Sequence, residues 1–373
     1  MGLKNHKLLI ILLLILLSCK GKQQKIIHQP YSGSKIIYAR KFNIIKKNET
    51  TEIVVYNSSH DNNYRYILSE KNNFDRPGLV HIKVPVKKVV CLSTTHIAFI
   101  DFLGKTNTIV AISGKNLIYN NYLKSVIDSG KVKDIGYDQN LDYETIIKLK
   151  PDLIFAYSIE NESAGFFNKF KDLGIPVVMV AEFLEENPLG KTEWIKFFAS
   201  FYGLENIADE KFKIIEKEYH YWKNKAVSIS NKPRVMTGLL WNNTWYVPGK
   251  NSYLAQLIND AGGIYIWGED AKQFSYPISL EKVLSDGQTA DIWINTGSIN
   301  TKIEIKGINT LLIKLQPYKN DKIYNNNNRC NGMANDYWET GVVNPDKIIA
   351  DLFCIFHSEL CKNHELVYYK KLE

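Results

Sequence analysis

Two stretches, far apart in the chain, share one pattern. Asp142-Tyr143-Glu144-Thr145-Ile146 leads to Pro151-Asp152-Leu153-Ile154, and Ser279-Leu280-Glu281-Lys282-Val283 leads to Ala290-Asp291-Ile292-Trp293. Each opens on a helix-capping residue, carries a Glu in the first helical turn, and closes on an Asp that precedes a short apolar run. That order describes one helix–strand unit of an α/β domain. Its recurrence predicts two similar lobes, and a cleft between lobes is a common place for a ligand.

The surrounding sequence supports the same plan. Val89-Val90-Cys91-Leu92 is an apolar run followed by Ser93-Thr94-Thr95, a helical pattern through Ile97, Ile100 and Leu103, and a stop at Gly104. Ile109 to Ile112, Leu153 to Ala156 and Ile175 to Val180 read as strands, and 165–173 as a helix. After an almost wholly helical stretch, Pro188 to Ser230, the alternation restarts. Arg234 to Leu240 is a strand, Asn251-Ser252 caps a helix that ends at Gly262-Gly263, and a last helix runs from Pro345 to about Leu360. Alternating β and α elements predict an α/β fold, two lobes of mostly parallel sheet with flanking helices. Between them Ala208, Phe212, Ile215, Tyr219, Trp222 and Ala226 form one apolar stripe, either a helix packed on a domain or a rigid strut joining the lobes. Residues 36–85 form a β-rich extension, with strands at Phe42 to Ile45, Glu52 to Tyr56 and Tyr64 to Leu68. The expected order is therefore a leader 1–18, a tether 19–35, the extension 36–85, an N-terminal lobe 86–187, a helical linker 188–230 and a C-terminal lobe 231–373.

The leader sets the compartment. Lys4 and Lys7 precede an unbroken apolar run, Leu8 to Leu17, which is too short to span a bilayer and suits a secretory signal. Leu16-Leu17-Ser18-Cys19 resembles a bacterial lipobox, which makes Cys19 the lipidated residue of a protein anchored outside the cytoplasm, facing the periplasm or the cell exterior. An ordinary signal peptide with an incidental Cys exports the chain equally. Of 373 residues, 45% are hydrophobic, which excludes a disordered chain. Lys and Arg number 47 against 39 Asp and Glu, a net charge of +8 that raises the question of nucleic acid. Part of that excess sits in the leader and tether, and export argues against such a partner. The five Cys include no C-x-x-C pair. Cys91 reads as a buried hydrophobe, and Cys354 and Cys361, seven apart along a helical pattern, lie roughly 10 Å apart in rise, too far to bridge within a regular helix, which leaves open whether any disulfide forms.

Catalytic motifs are absent. Gly190-Lys191-Thr192 has the tail of a phosphate loop, but its first Gly would fall at Glu185. His364-Glu365 would need a second His where Tyr368 stands, and no G-x-S-x-G elbow occurs. His96, at a strand-to-helix turn, suits a ligand contact, a general base or a satisfied structural histidine equally. The aromatic clusters carry more: Trp241, Trp245 and Tyr246, then Trp267, Phe274 and Tyr276, then Tyr337 and Trp338, with Arg329 nearby. Aromatics mixed with polar groups in loops suit a large, partly polar ligand, with a hydrophobic core as the bland alternative. Glu144 and Glu281 are each explained by the helix dipole, and their matched placement also suits two acidic contacts for a basic partner.

These residues resemble a known family. Lys88 to His96 through Gly104 and Leu149 to Ile154 look like the N-lobe signature, and Trp245 to Tyr253, Ala261-Gly262-Gly263 and Ala290 to Thr296 the C-lobe signature, of substrate-binding proteins of ABC importers for iron complexes and vitamin B12. Asp336 to Glu339 and Ile355 to Leu360 are similar to the end of lipoprotein members. The resemblance covers about 86–362. It implies two α/β lobes joined by a single long helix, an inter-lobe cleft for an iron–siderophore, haem or corrinoid ligand, and no catalysis. It places ligand contacts near His96, Trp241, Trp245, Arg329 and Trp338. It makes Glu144 and Glu281 the docking points for Arg residues of the permease, which acts with its ATPase. A monomer with no resident cofactor or metal is expected, with cobalamin as the alternative ligand and an exported hydrolase using His96 as the enzyme alternative. The extension departs from the simplest members and could cover the cleft or touch another protein.

Overall fold

The computed structural model describes residues 35–56, 63–71, 79–137, 140–157, 169–170, 172–268 and 274–373. The leader, Cys19 and nearly all of the tether lie outside these residues, as does most of the helix expected at 165–173.

The extension is a four-stranded sheet in the order β1-β2-β3-β4: β1 (Phe42–Lys47), β2 (Thr50–Val55), β3 (Tyr64–Ser69) and β4 (Val80–Lys83), the last pairing parallel to β3. The N-terminal lobe follows: β5 (Val89–Cys91), α1 (Thr94–Phe102), β6 (Ile109–Ile112), α2 (Asn121–Asp128), β7 (Lys133–Asp134), α3 (Tyr143–Leu149), β8 (Leu153–Ala156) and β9 (Val177–Met179). Its sheet is wholly parallel, ordered β7-β6-β5-β8-β9. Two helices come next, α4 (Pro188–Ser200) and α5 (Glu205–Val227).

The C-terminal lobe contains β10 (Arg234–Thr237), β11 (Leu240–Trp241), β12 (Thr244–Val247), α6 (Tyr253–Asp260), β13 (Ile264–Tyr265), β14 (Tyr276–Ile278), α7 (Leu280–Asp286) and β15 (Ile292–Ile294). Then come α8 (Lys302–Ile308), α9 (Gln316–Lys319), β16 (Ile323–Asn325), β17 (Cys330–Asn331), β18 (Ala334–Asn335), α10 (Asp336–Glu339), α11 (Pro345–Phe356) and β19 (Lys370–Lys371). Its main sheet, β13-β10-β15-β16-β19, is parallel except at β19. The run β6-β5-β8-β9 in one lobe thus matches β13-β10-β15-β16 in the other.

The repeated Asp explains the repeated sequence. Asp152 Oδ2 accepts from the amides of Lys87 and Lys88 at 2.6 and 2.9 Å, and the Asp152 amide donates to the Lys88 carbonyl. Asp291 Oδ2 accepts from the Arg234 amide at 2.7 Å, and its own amide donates to the Arg234 carbonyl. In both lobes the Asp satisfies the backbone where two parallel strands start side by side, which fixes their register. The capping residues act as expected: Asp142 accepts from the Thr145 amide at 2.9 Å and Ser279 from that of Lys282 at 3.2 Å.

The helical stretch divides in two at Phe201 to Leu204, because the pieces do different work. In α4 every residue but Lys191 is buried. Its Phe198 stacks on Phe99 of α1 at 4.9 Å, its Trp194 meets Phe42 of β1 at 4.6 Å, and its Thr192 hydroxyl donates to the Val342 carbonyl at 2.7 Å. The second helix, α5, has 23 residues and so spans about 34 Å. Ala208, Phe212, Ile215, Tyr219 and Ala226 of the expected stripe are buried, and Trp222 packs on Phe353 of α11 with ring centroids 5.4 Å apart. Tyr219 donates to Asp260 of α6 at 2.7 Å, and Lys46 of β1 pairs with Glu205 at 3.1 Å.

The extension is fastened to α4. Glu193, buried, accepts from the amides of Ile37, Tyr38 and Ala39 at 2.7 to 3.1 Å and pairs with Lys196 at 2.9 Å. Glu185 accepts in the same way from Arg40 and Lys41. Gly190 permits the close approach, since a Cβ there would lie 2.9 Å from the Tyr38 carbonyl oxygen. Tyr66 of β3 also meets the edge of the N-terminal lobe, its hydroxyl accepting from the Met179 amide at 2.8 Å.

At the C-terminal end one expectation is corrected and one open question is answered. The last helix stops at Phe356, short of Leu360, because His357 leaves helical geometry. The chain then folds back, which brings Cys354 and Cys361 to a Cα separation of 5.4 Å in a disulfide. The 10 Å rise that argued against a bridge applies only to a continuous helix. Cys91 is buried, as expected. Gly263 lies where helix, strand and α11 crowd: a Cβ there would meet Phe356 at 2.8 Å and Val235 at 3.0 Å. Among the described residues no helix is long and apolar enough to cross a membrane.

Replacing Glu193 with Ala orphans three amides and leaves Lys196 without its closest partner. The expected cost is about 3 kcal/mol of stability, read as a lower melting temperature with faster proteolysis within 35–41. Unchanged melting and cleavage would contradict the clamp.

Candidate functional site

In open α/β sheets the loops at the carboxyl ends of parallel strands form the ligand-facing rim. Here the β5 end leads to Ser93, which caps α1 by accepting from the Thr95 amide. The β6 end leads to the turn Lys115–Leu117 and on to α2. The β10 end leads to the hairpin of β11 and β12.

That hairpin explains which aromatics are accessible. Leu240 pairs with Trp245 and Trp241 with Thr244 across a two-residue turn, in which Asn242 and Asn243 both have positive φ. Side chains alternate along a strand, so Trp245 and Val247 turn inward while Trp241, Thr244 and Tyr246 share the outer face. Trp241 is 67% exposed and Tyr246 45%, with ring centroids 6.4 Å apart. Trp245 is fully buried, its ring 5.7 Å from that of Trp293 and its Nε1 donating to the Thr237 carbonyl. Phe274 and Trp338 are exposed at 63% and 59%. Tyr276 of β14 is half-buried, and Tyr337 is buried in T-shaped contact with Trp338, Tyr368 and Tyr369. Of the aromatics expected at the site, Trp241, Tyr246 and Trp338 are therefore accessible, whereas Trp245 and Tyr337 sit in the core.

The two lobes meet along one seam. The Thr94 hydroxyl donates to the Trp338 carbonyl at 3.2 Å. Glu339, buried at the end of α10, accepts from the amides of Tyr119 and Asn120 at 2.6 and 3.0 Å. Arg329 pairs with buried Asp336 at 2.7 Å and places its guanidinium 5.5 Å from the Tyr119 ring centroid. Beside the seam lies a cavity of about 370 Å³ between Lys115, Lys124 and Ile127 on one side and Asn331 and Met333 on the other.

His96 is fully buried among Phe155, Tyr157 and Phe198, with neither ring nitrogen in a hydrogen bond of good geometry among the described residues. Burial pulls its pKa down to about 4, so the ring is neutral through the physiological range. It lies behind the rim. Sequence reasoning gave no role to Glu182, whose carboxylate acts on the His96 ring, or to Glu339 at the seam. Glu182 is a charged residue inside the apolar stretch Val177 to Leu184, the signal that would have found it.

Glu144 and Glu281 both stand exposed in the first turns of α3 and α7. Glu144 pairs with Lys148 at 2.7 Å. Glu281 is held below the usual carboxylate range by its own backbone amide and by the Ser279 hydroxyl.

His96 and Glu339 titrate with opposite effect. Between pH 6.5 and 4 the unfolded chain takes up a proton at His96 that the folded protein refuses, so stability falls as pH falls through that window. Burial pushes Glu339 up to about 7, against the pull of the two amides. Its folded state therefore binds a proton first, and stability falls as pH rises from 4.5 through 7. Each effect is worth roughly 3 kcal/mol across its window. Urea unfolding at stepped pH should show the acid-side loss flattened in His96→Leu and the rise on acidification flattened in Glu339→Gln. Parallel curves for all three proteins would refute both assignments.

The comparisons agree with this geometry. The profile described as periplasmic binding protein matches residues 89–325. The lipoprotein MJ0878 of Methanocaldococcus jannaschii is 30% identical over 300 residues, 78% of this chain and 70% of that protein. The ABC transporter substrate-binding lipoprotein YvrC of Bacillus subtilis is 28% identical over 183 residues, 48% of this chain and 55% of that protein. Among solved structures, a periplasmic haem-binding protein of Pseudomonas aeruginosa superposes with a TM-score of 0.59 at 13% identity, over 77% of this chain and 98% of that one, a likeness of fold. Two matched α/β lobes, a long joining helix and the profile match across both lobes place this chain in the periplasmic binding protein family.

Proposed function

We propose that the protein is an extracytoplasmic solute-binding lipoprotein, anchored through Cys19, that captures an iron complex in the inter-lobe cleft and delivers it to the permease and ATPase of an ABC importer. The accessible aromatics of the C-terminal lobe carry this reading. Trp338 offers an exposed ring beside the place where Thr94 and Glu339 join the lobes, and Trp241, Tyr246 and Phe274 expose theirs on the β11–β12 hairpin and just before β14, which pairs with it. Monomeric soluble proteins rarely expose large aromatics together without a partner to cover them, and flat rings suit a planar or aromatic chelate such as haem or a catechol siderophore. Binding without chemistry is the expected activity, since His96 is buried and neutral. The relatives named as lipoproteins support the anchor.

Exposed carboxylates on equivalent helices, Glu144 and Glu281, suit two basic sockets on a permease. Such pairs act at the rim of an interface and leave a distant ligand site untouched.

Tryptophan fluorescence titrated with haem, ferric siderophores and cobalamin tests the ligand. Quenching is expected with an iron complex, and Trp241→Ala should weaken it at least about tenfold, as for an aromatic anchor. A response to cobalamin alone would replace the iron reading, and no response to any of them would end it. Glu144→Ala combined with Glu281→Ala should leave that affinity within about twofold while uptake by cells falls at least about tenfold. Equal uptake by the double variant would remove the docking role.

A further inference from the structure

Strands and helices of the N-terminal lobe alternate in direction, so its loops gather at two edges of the sheet. The carboxyl edge is the rim described above. The amino edge, where β7, β6, β5 and β8 start side by side, carries a row of lysines. Lys131 and Lys133 stand at the start of β7, Lys105 before β6, Lys87 and Lys88 before β5, and Lys150 before β8. Neighbouring strands are about 4.8 Å apart, so the row crosses roughly 15 Å of the lobe. Lys105 is half-buried and the other five are exposed, and among the described residues none of the six is in an ion pair. Acids are fewer there. Asp152 gives its Oδ2 to the amides of Lys87 and Lys88, Asp101 accepts from the Thr106 hydroxyl, and Asp128 and Asp172 are exposed.

Helix polarity accounts for part of this row. Helices α1, α2 and α3 end at the same edge, and the negative end of a helix favours a cation. The other lobe shows that the fold does not demand one. The matching loops into β13 and β15, Ala261 to Gly263 and Gly287 to Asp291, contain no Lys or Arg. Lys105 and Lys150 are therefore more than the shared architecture requires.

The tether meets the fold beside this edge. The Lys35 carbonyl accepts from the Lys196 ammonium at 3.3 Å. Lys196 lies five residues, about 8 Å of rise, before Phe201, whose carbonyl accepts from the Val86 amide next to Lys87. Cys19 is sixteen residues before Lys35, a reach of at most about 55 Å. Residues 20–34 contain Lys20, Lys22 and Lys25 and no Asp or Glu.

We propose that the amino edge of the N-terminal lobe is a docking surface for an anionic lipid bilayer, on which the anchored protein rests with its ligand rim turned away from the membrane. The inference rests on the lipoprotein reading above and adds the face that meets the lipid. With Cys19 lipidated, the three tether lysines sit at the headgroups, and the row on the lobe extends the same charge over a rigid patch. A lysine reaches a headgroup phosphate on a flexible stem as a hydrated point charge. Bases of a nucleic acid would need exposed rings to stack on, and the exposed aromatics of this lobe, Tyr122 and Tyr137, belong to the carboxyl edge. Glu144 is at the opposite end of α3 from Lys150, so the resting protein has to turn over before it presents Glu144 to a permease.

The test is sedimentation of the mature chain without lipid, residues 20–373, with vesicles of phosphatidylcholine alone or containing about one-third phosphatidylglycerol. At low salt wild type should bind the anionic vesicles at least about tenfold more tightly than the neutral ones, and high salt should remove the preference. Lys88→Gln with Lys131→Gln and Lys150→Gln should weaken anionic binding at least about tenfold. Lys217→Gln with Lys306→Gln and Lys362→Gln removes the same charge from exposed sites elsewhere and should change it less than about threefold. Chelate quenching should be the same in both triple variants. Should the first triple fail to fold, Lys88→Gln with Lys131→Gln should still weaken binding at least about threefold. Equal binding to neutral and anionic vesicles, or equal weakening by the two triples, overturns the proposal. Duplex DNA bound more tightly than vesicles at equal phosphate, and lost in the first triple, reassigns the face to a polyanion and overturns the lipid. Release of wild type from cell membranes by salt alone ends the lipoprotein reading and the resting orientation with it, whereas failure on vesicles alone leaves the anchor standing.

Discussion

The structure depends on one helix that is buried on nearly every face. The residues of α4 touch the N-terminal lobe through Phe198, the extension through Trp194 and the approach to α11 through Thr192. A helix so placed cannot leave a charge to solvent, yet it carries Glu193 and Lys196. They are satisfied by each other and by the backbone of residues 37–39, which makes the extension part of the solution to a burial problem. The extension thus lies against the helices and the β9 edge, fastened by main-chain hydrogen bonds.

The lobes are equivalent at the level of backbone satisfaction. Asp152 and Asp291 hold the starts of paired parallel strands, and Asp142 and Ser279 start the helices that precede them. This equivalence places Glu144 and Glu281 on corresponding, solvent-facing helix turns. The joining helix α5 engages both lobes, through the Lys211 ammonium 4.4 Å from the Phe102 ring centroid of α1 and through Tyr219 with Asp260 of α6. A helix held in this way transmits a small change at the seam better than a flexible linker would.

The candidate site was partly legible. Trp241, Tyr246 and Trp338 were recognisable as loop aromatics, and all three are accessible. Trp245 was not separable from them by composition. The two-residue turn at Asn242 and Asn243 assigns it to the inner face, and that needs the pairing register. His96 was open between three roles, and its burial places it behind the rim. Glu182 carried no motif, because its meaning comes from Thr95, distant in sequence.

By itself the sequence determined the alternation of strands and helices, the duplication of the helix–strand unit, the long apolar stripe of α5 and the acidic pair. All of these are periodic or local properties, set by side-chain spacing along 3.6- and 2-residue repeats and by caps a few residues away. Only the tertiary structure decided the Cys354–Cys361 bridge, the division of the linker into a core helix and a strut, the clamp on the extension and the seam at Glu339. Each depends on where the chain turns back and on which distant backbone amides meet a buried carboxylate, and neither is written in local spacing.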